Sequence, residues 1–414
     1  MLKTIILSVS LHTEISTYPH LRQMTPKASP RRIHLCLCHM SGNEQRYIDE
    51  AFADNWVVPL GPNVDAFENS LQDFLSKGDP SRDHLRIAAV SAGTAAIHLG
   101  LILAGVKAGD EVICQSFTFA ASANPVTYQG ATPVFVDSEA DTWNMDPALL
   151  DFAISDRIAK TGRKPSAIIP VHLYGMPAKM DEIMMIADKW DIPVVEDAAE
   201  ALGSSYRGHA CGTFGNFGAL SFNGNKMITT SGGGALVCPD QESRARAVFF
   251  ATQARESFPY YQHENIGYNY RMSNICAGIG RGQMTVLDEH IAHHRRLAAL
   301  YASLLADVEG VDFHANPSPE SDANFWLSTI TIDPSLTGGL TPDELRLHFE
   351  SFNIETRLLW KPMHMQPVFS NAPAYTNGVS SSLFSRGLCL PSGPWVTEED
   401  VEMIVSEIKR LASR

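Results

Sequence analysis

Cysteine is scarce and unpatterned in this chain. The 414 residues hold seven, at positions 36, 38, 114, 211, 238, 276 and 389. An odd, scattered set without Cys-x-x-Cys spacing implies neither a disulfide framework nor a zinc site, so no metal is expected. A reducing cytoplasm is the compartment it fits. Positive charge is also short: 32 Lys and Arg stand against 46 Asp and Glu, a net charge of -14. That balance argues against nucleic acid or an anionic membrane as the main partner. It leaves room for an anionic ligand at a locally positive site. Long apolar runs are missing too. Residues 5–11 are too short to span a membrane, and no clear cleavage site follows them. Residues 25–32 form a basic, proline-containing linker. Residues 1–32 are therefore expected to be a poorly ordered extension, supplied by an upstream start codon or serving as a targeting segment.

What is present describes a globular protein. Hydrophobic residues make up 44% and charged residues 19%, the usual soluble mixture. The length exceeds what one core covers, so two domains are expected. We place a large domain at 33–288 and a smaller C-terminal one at 289–414. Ser41 followed by Glu44 reads as a helix cap with its capping-box partner. Short apolar strands are expected at 111–114, 133–137, 167–171, 193–197 and 219–222. Helical stretches such as 94–103 and 180–190 lie between them. This alternation is the α/β pattern of a mostly parallel sheet flanked by helices. Ligands in such sheets gather at the carboxyl ends of the strands.

One stretch organises the rest. Residues 221–234 read S-F-N-G-N-K-M-I-T-T-S-G-G-G, with Lys226 among small and polar residues and an apolar run on either side. A lysine in a dry or cationic site becomes a nucleophile that forms Schiff bases. The commonest carbonyl partner is pyridoxal phosphate (PLP). Taken alone, the stretch is equally a loop lysine between two strands. Upstream, Gly93 and Thr94 in S-A-G-T-A-A open a helix, an anion cradle or an ordinary cap. Phe119 follows a strand and either stacks on a ring or packs in the core. Asp197, in V-E-D-A-A-E-A, ends a strand. A buried acid there needs a partner, and a pyridinium nitrogen is one; a helix-dipole role is the other option. Ala199 is small enough to lie under a ring. Glu200 touches the cofactor's phenolic oxygen or the substrate. His172, in H-L-Y-G, packs on the ring or serves structure.

In this order, with S-F-N-G-N-K and G-Y-N-Y-R-M-S-N downstream, these motifs resemble those of the DegT-type sugar-nucleotide aminotransferases of PLP fold type I. The resemblance covers about residues 33–414. Within the family it is similar to the bacillosamine-pathway transaminases, through H-M-S-G-N-E at 39–44, P-L-G at 59–61, T-Q-A-R-E at 252–256 and L-W-K-P-M-H at 359–364. The resemblance implies a PLP-dependent aminotransferase that moves an amino group from glutamate to C4 of UDP-4-keto-6-deoxy-N-acetylglucosamine, in bacterial glycan biosynthesis. It implies Lys226 as the Schiff-base lysine, Asp197 on the pyridinium, and Phe119 and Ala199 on the two ring faces. Gly93, Thr94 and Ser221 would hold the phosphate, and Asn269 the phosphate of the neighbouring subunit in a homodimer with shared sites. Asn55, Trp56, Val57, Val58 and His172 would border the sugar nucleotide, with Lys361 and His364 on its diphosphate. A GDP- or dTDP-linked keto sugar is the alternative substrate. A PLP-dependent sugar dehydratase is the alternative reaction; such enzymes resemble this group but carry histidine in place of the lysine, so Lys226 argues against it. Farther on, His290, His293 and His294 form a cluster, expected to be a solvated helix face because no carboxylate or cysteine completes a metal set.

Overall fold

The computed structural model describes residues 31–413. The expected extension lies outside the described residues except for its last two. Those two are tied down: Arg31 pairs with Asp400, and Arg32 forks onto Glu350 at 2.7 and 2.8 Å. The chain then enters helix α1 (Glu44–Ala53) and helix α2 (Pro62–Leu75). Ser41 is not the cap expected of it. Asn43 occupies the cap position, and Glu44 reaches back two and three residues to the amides of Gly42 and Ser41 at 3.0 and 2.8 Å.

The main sheet is built from β1 (Arg86–Val90), β2 (Glu111–Gln115), β3 (Thr132–Val136), β4 (Ala167–Ile169), β5 (Val195–Asp197), β8 (Phe217–Ser221), β9 (Gly234–Cys238) and the late strand β14 (Ala374–Tyr375). Its two ladders, β14-β3-β2-β4 and β5-β8-β9-β1, are joined by parallel bridges at Ile168–Val194 and Val171–Asp197. All strands run parallel except β9, which pairs antiparallel with both β1 and β8. Most strand residues are buried, as expected when helices cover both faces. The covering helices include α3 (Gly93–Leu103), α4 (Ala120–Tyr128), α5 (Pro147–Thr161), α6 (Met180–Trp190) and α7 (Gln241–Ala251). Helix α3 is apolar nearly all round and buries eight residues, His98 among them, because it lies between the sheet and other helices.

Two short strands, β6 (Ser205–Tyr206) and β7 (His209–Ala210), pair with each other, and β6 pairs with β11 (Ser321–Asp322), stitching the two parts of the chain together. Helices α8 (Asn274–Met284) and α9 (Leu287–Leu305) lead to a second, wholly antiparallel sheet. It is ordered β10 (Val311–Phe313), β12 (Ser328–Ile332), β15 (Gly387–Leu390), β13 (Arg357–Leu358). Helices α10 (Pro342–Ser351), α11 (Val379–Arg386) and α12 (Glu398–Ala412) accompany it. Its core gathers Tyr301, Ile330, Phe349, Leu388 and Ile404, and also Ile33 from the start of the described chain. Helix α12 shows why these residues form this element. Thr397 and Asp400 exchange hydrogen bonds in a capping box, and Val401, Ile404, Val405, Ile408 and Leu411 make one buried stripe. The cap contributes about 1 kcal/mol; the stripe fixes which face is buried. Among the described residues no helix is long and apolar enough to cross a membrane.

Candidate active site

The carboxyl ends of β1, β2, β5 and β8 converge on one cavity of about 440 Å³. Gly93, Thr94, Phe119, Asp197, Ala199, Glu200, Ser221 and Lys226 all line it. These eight are the residues that the sequence motifs single out for PLP, apart from Asn269.

The turn after β1 is built by close approach. A Cβ on Gly93 would lie 2.9 Å from Ser221 Cβ, and one on Gly234 would lie 2.5 Å from the Gly93 nitrogen. Only glycine fits at either place, so the amides opening α3 and the Ser221 hydroxyl meet in a small concave surface. The turn is also held from behind, because the Ser91 amide donates to Tyr270 O at 2.7 Å. Bare amides at the start of an eleven-residue helix favour an anion.

Asp197 ends β5 and is buried. Ser122 Oγ donates to its Oδ2 at 2.5 Å and the Ala199 amide to its Oδ1 at 3.1 Å. Thr118 Oγ1 lies 2.6 Å from Ser122 Oγ; with the serine hydrogen committed to Asp197, the threonine is the donor. Burial raises the Asp197 pKa, and these hydrogen bonds oppose the rise. A buried carboxylate in this state accepts a cationic partner readily.

Lys226 Nζ lies 3.2 Å from Glu200 Oε1 and 3.9 Å from the centroid of the Trp326 ring. The side chains of Lys226 and Glu200 are only 13% and 5% exposed. The pair is therefore largely desolvated, where a cation over an indole contributes about 2 kcal/mol. Glu200 Oε2 accepts the Tyr174 amide at 2.7 Å. Burial raises the Glu200 pKa, and Lys226 opposes it. Tyr174 presents that amide from a left-handed backbone, φ 54°, and its hydroxyl accepts the Trp360 amide at 3.0 Å. Sequence reasoning gave no role to Trp326 or Trp360, which also line the cavity with Asn223 and Asn225.

Other candidates fall elsewhere. His172 is fully buried beneath the site. Its Nδ1 accepts the Ala178 amide at 3.1 Å, so Nε2 carries the hydrogen and donates to Glu196 at 3.0 Å. Glu196 also accepts the amides of Gly212, Phe214 and Gly215, anchoring the G-T-F-G turn. Asn269 is exposed, bridged to Thr252, and one residue from the Tyr270 carbonyl that holds Ser91. Residues 55–58 form an exposed turn whose carbonyls at Trp56 and Val58 are held by Asn274. His364 Nδ1 pairs with Ser116 Oγ at 2.6 Å, and Lys361 offers its carbonyl to Gln366. None of Asn55, Trp56, Val57, Val58, His172, Asn269, Lys361 or His364 lines the cavity. The histidine cluster is not a solvated face: His290 and His294 are 5% and 0% exposed.

An amine, a strand-end carboxylate and an anion cradle in one cavity are the equipment of a PLP-dependent aminotransferase. The cradle that a Cβ would fill and the buried acid awaiting a cation both fit that cofactor. Residues 39–409 match the model of the DegT/DnrJ/EryC1/StrS aminotransferase family, and the chain belongs to it as a PLP-dependent sugar aminotransferase. It is 48% identical over 388 residues to EpsN of Bacillus subtilis (strain 168), itself provisionally assigned as a pyridoxal phosphate-dependent aminotransferase; the match covers 92% of this chain and 96% of that one. It is 36% identical to the GDP-perosamine synthase of Escherichia coli O157:H7, over 90% and 97% of the two chains. Among solved structures it is similar to DesI, determined with its TDP-sugar product, at a TM-score of 0.83 and 27% identity over 94% and 95% of the chains.

Proposed function

We propose that this enzyme transfers an amino group from glutamate to C4 of a nucleotide-linked 4-keto-6-deoxy sugar, with UDP-4-keto-6-deoxy-N-acetylglucosamine as the preferred substrate, in bacterial glycan biosynthesis. The observation that carries the reading is the placement of Lys226, Glu200 and Asp197 in one cavity with the Gly93–Ser221 cradle. When bound, PLP supplies an electron sink conjugated to the reacting carbon. Gly93, Thr94 and Ser221 would hold its phosphate, and Asp197 would keep its ring nitrogen protonated. Phe119 and Ala199 would flank the ring. Lys226 Nζ would hold the cofactor and then act as the base that carries the proton to and from the substrate carbon. Trp326 and Trp360 exclude water from that amine.

The substrate class is supported by the relatives' names. Besides the perosamine synthase, the chain is 34% identical to a UDP-4-amino-4-deoxy-L-arabinose–oxoglutarate aminotransferase of Shewanella sediminis. Oxoglutarate in that name is the product that glutamate leaves when it donates its amine. GDP, UDP and TDP appear in the names of three proteins that share this fold, so the shared cofactor machinery does not select the base. In the same proposal the enzyme is a cytoplasmic homodimer of two-domain subunits, large at 33–288 and small at 289–414. Asn55–Val58, Lys361 and His364 attend the nucleotide sugar, and Asn269 serves the neighbouring site. In support, an aromatic loop exposes Phe258, Tyr260, Tyr261 and Ile266 just before Asn269, the composition of an interface.

The test is a panel of UDP-, GDP- and dTDP-linked 4-keto-6-deoxy sugars, followed by 2-oxoglutarate release. The UDP-N-acetyl substrate is expected to lead in kcat/KM by roughly tenfold or more. A GDP or dTDP sugar in first place would replace the substrate. Loss of a sugar hydroxyl without amination would replace the reaction.

A further inference from the structure

Helix α9 carries His290 and His294 one turn apart on one buried face. His290 Nδ1 lies 3.2 Å from Met227 O, and His294 Nδ1 lies 3.1 Å from Phe325 O. A carbonyl only accepts, so both Nδ1 atoms carry the hydrogen and donate. His290 Nε2 is then an acceptor, and His39 Nδ1 sits 3.3 Å from it. His294 Nε2 is buried without a partner. A proton there would be an unpaired buried charge, and burial pushes the imidazole down to about 3. Both rings are neutral donors in a single tautomer.

The two carbonyls flank the reacting centre. Met227 follows Lys226, and Phe325 precedes Trp326, the ring over which Lys226 Nζ rests. Phe325 stands at φ 51°, a conformation that persists only where its surroundings hold it. Trp326 Nε1 donates to Asn225 O at 2.6 Å, so the carbonyls on both sides of Lys226 are fixed. Next along α9, Arg295 donates to Ala323 O at 3.0 Å, while Asn324 Nδ2 donates to Glu200 O at 2.8 Å. The helix has no slack: a Cβ on Gly203 would come within 2.2 Å of Ile291 Cδ1.

We propose that the His290–His294 face of α9 is the positioning element of the reacting centre, aiming Lys226 through the Met227 carbonyl and Trp326 through the Phe325 carbonyl. Neither histidine touches Nζ, so both are positioning residues. The inference rests on Lys226 being the reacting amine.

The test compares two amides at each site, in the holoenzyme. In His290→Asn and His294→Asn the amide nitrogen falls near the place of Nδ1; in His290→Gln and His294→Gln it falls near Nε2. The Asn variants should keep kcat within about threefold. The Gln variants should lose roughly tenfold or more, with KM for the keto sugar changed less than about twofold, because an amine misplaced by a fraction of an ångström loses near-attack geometry. The visible absorption of the bound cofactor should shift only in the Gln variants. In cofactor-free protein, hydrogen exchange at residues 225–228 should quicken in His290→Gln and not in His290→Asn. Gln variants that match the parent in kcat, absorption and exchange, or Asn and Gln variants that fall equally, would overturn the proposal. Should the Gln variants not fold, His290→Phe decides. It keeps the ring and removes the Nδ1 donor to Met227 O, and should speed exchange at 225–228; parental exchange there would refute the proposal. Borohydride fixation of PLP in the parent separates the premise: label on another lysine removes the functional reading, whatever the variants do.

Discussion

At the cradle, Gly93, Ser221 and Gly234 meet through backbone and small side chains, with gaps too narrow for one added carbon. At the proposed reacting centre, Lys226, Glu200 and Trp326 meet through long side chains from three separate segments, across 3.2 and 3.9 Å. The first surface is made by exclusion of atoms and the second by aim and charge. The cradle should therefore respond to volume and be indifferent to charge pairing. The reacting centre should respond to charge and to distant anchors, and tolerate changes in volume.

The largest break falls at the reacting centre. Lys226→Ala removes the amine proposed to hold the cofactor and carry the proton, so transamination should fall on the order of 10⁴-fold or more. Circular dichroism should stay parental, because the change removes a side chain that lines the cavity and leaves the backbone in place. Turnover near the parent rate would end the assignment. Asp197→Asn comes next. The amide keeps the shape and one acceptor oxygen for the Ala199 amide, while its nitrogen faces Ser122, whose hydroxyl turns to accept; it cannot hold a ring proton by charge. PLP should still bind, with kcat lower on the order of 10²-fold. A parental kcat would make Asp197 a structural cap only.

The difference in construction also explains what the sequence could disclose. The cradle, Asp197 and Lys226 were legible because each sits in a short contiguous motif just past a strand, where the chain must turn and small residues mark the turn. Trp326 and Trp360 were not, because a lone aromatic carries no period and reaches the cavity only through tertiary packing. The reversed direction of β9 was also hidden: Gly-Ala-Leu-Val-Cys is apolar read either way, and only its pairing with β1 and β8 orients it. His290 and His294 read as a solvated face because the carbonyls that take their hydrogens lie 63 and 31 residues away in the chain.

Gly93→Ala sharpens the other side of the comparison. The new methyl would stand 2.9 Å from Ser221 Cβ and 3.3 Å from its Oγ. Overpacking of this kind costs about 1–3 kcal/mol, and 1.4 kcal/mol is about tenfold in Kd. PLP affinity, measured by fluorescence titration of cofactor-free protein, should weaken by roughly that factor, while kcat at saturating PLP should change little. A fall in kcat with unchanged affinity would show that the cradle also aims the cofactor, and the division drawn above would fail.

The smallest effect concerns charge in the cofactor-free protein. Burial raises the pKa of both Asp197 and Glu200, and Lys226 opposes each rise. Their unfolded counterparts titrate near pH 4, so above that range the folded protein keeps protons that the unfolded chain has lost. Stability tracks the excess of protons bound by the unfolded state. Here the excess belongs to the folded state, so the two acids make stability fall as pH rises from the ordinary carboxylate range through their elevated folded values, and level off above them. Asp197→Asn with Glu200→Gln removes both titrations. The difference in melting temperature between this variant and the parent should therefore grow in the variant's favour across that window, by a few degrees at most for a chain of this size. Adding PLP to the parent should shrink the slope, because a protonated ring beside Asp197 favours the charged carboxylate. A difference that stays constant with pH would mean that Lys226 already compensates both acids in the empty site, and that the reacting centre stores no charge imbalance for the cofactor to relieve.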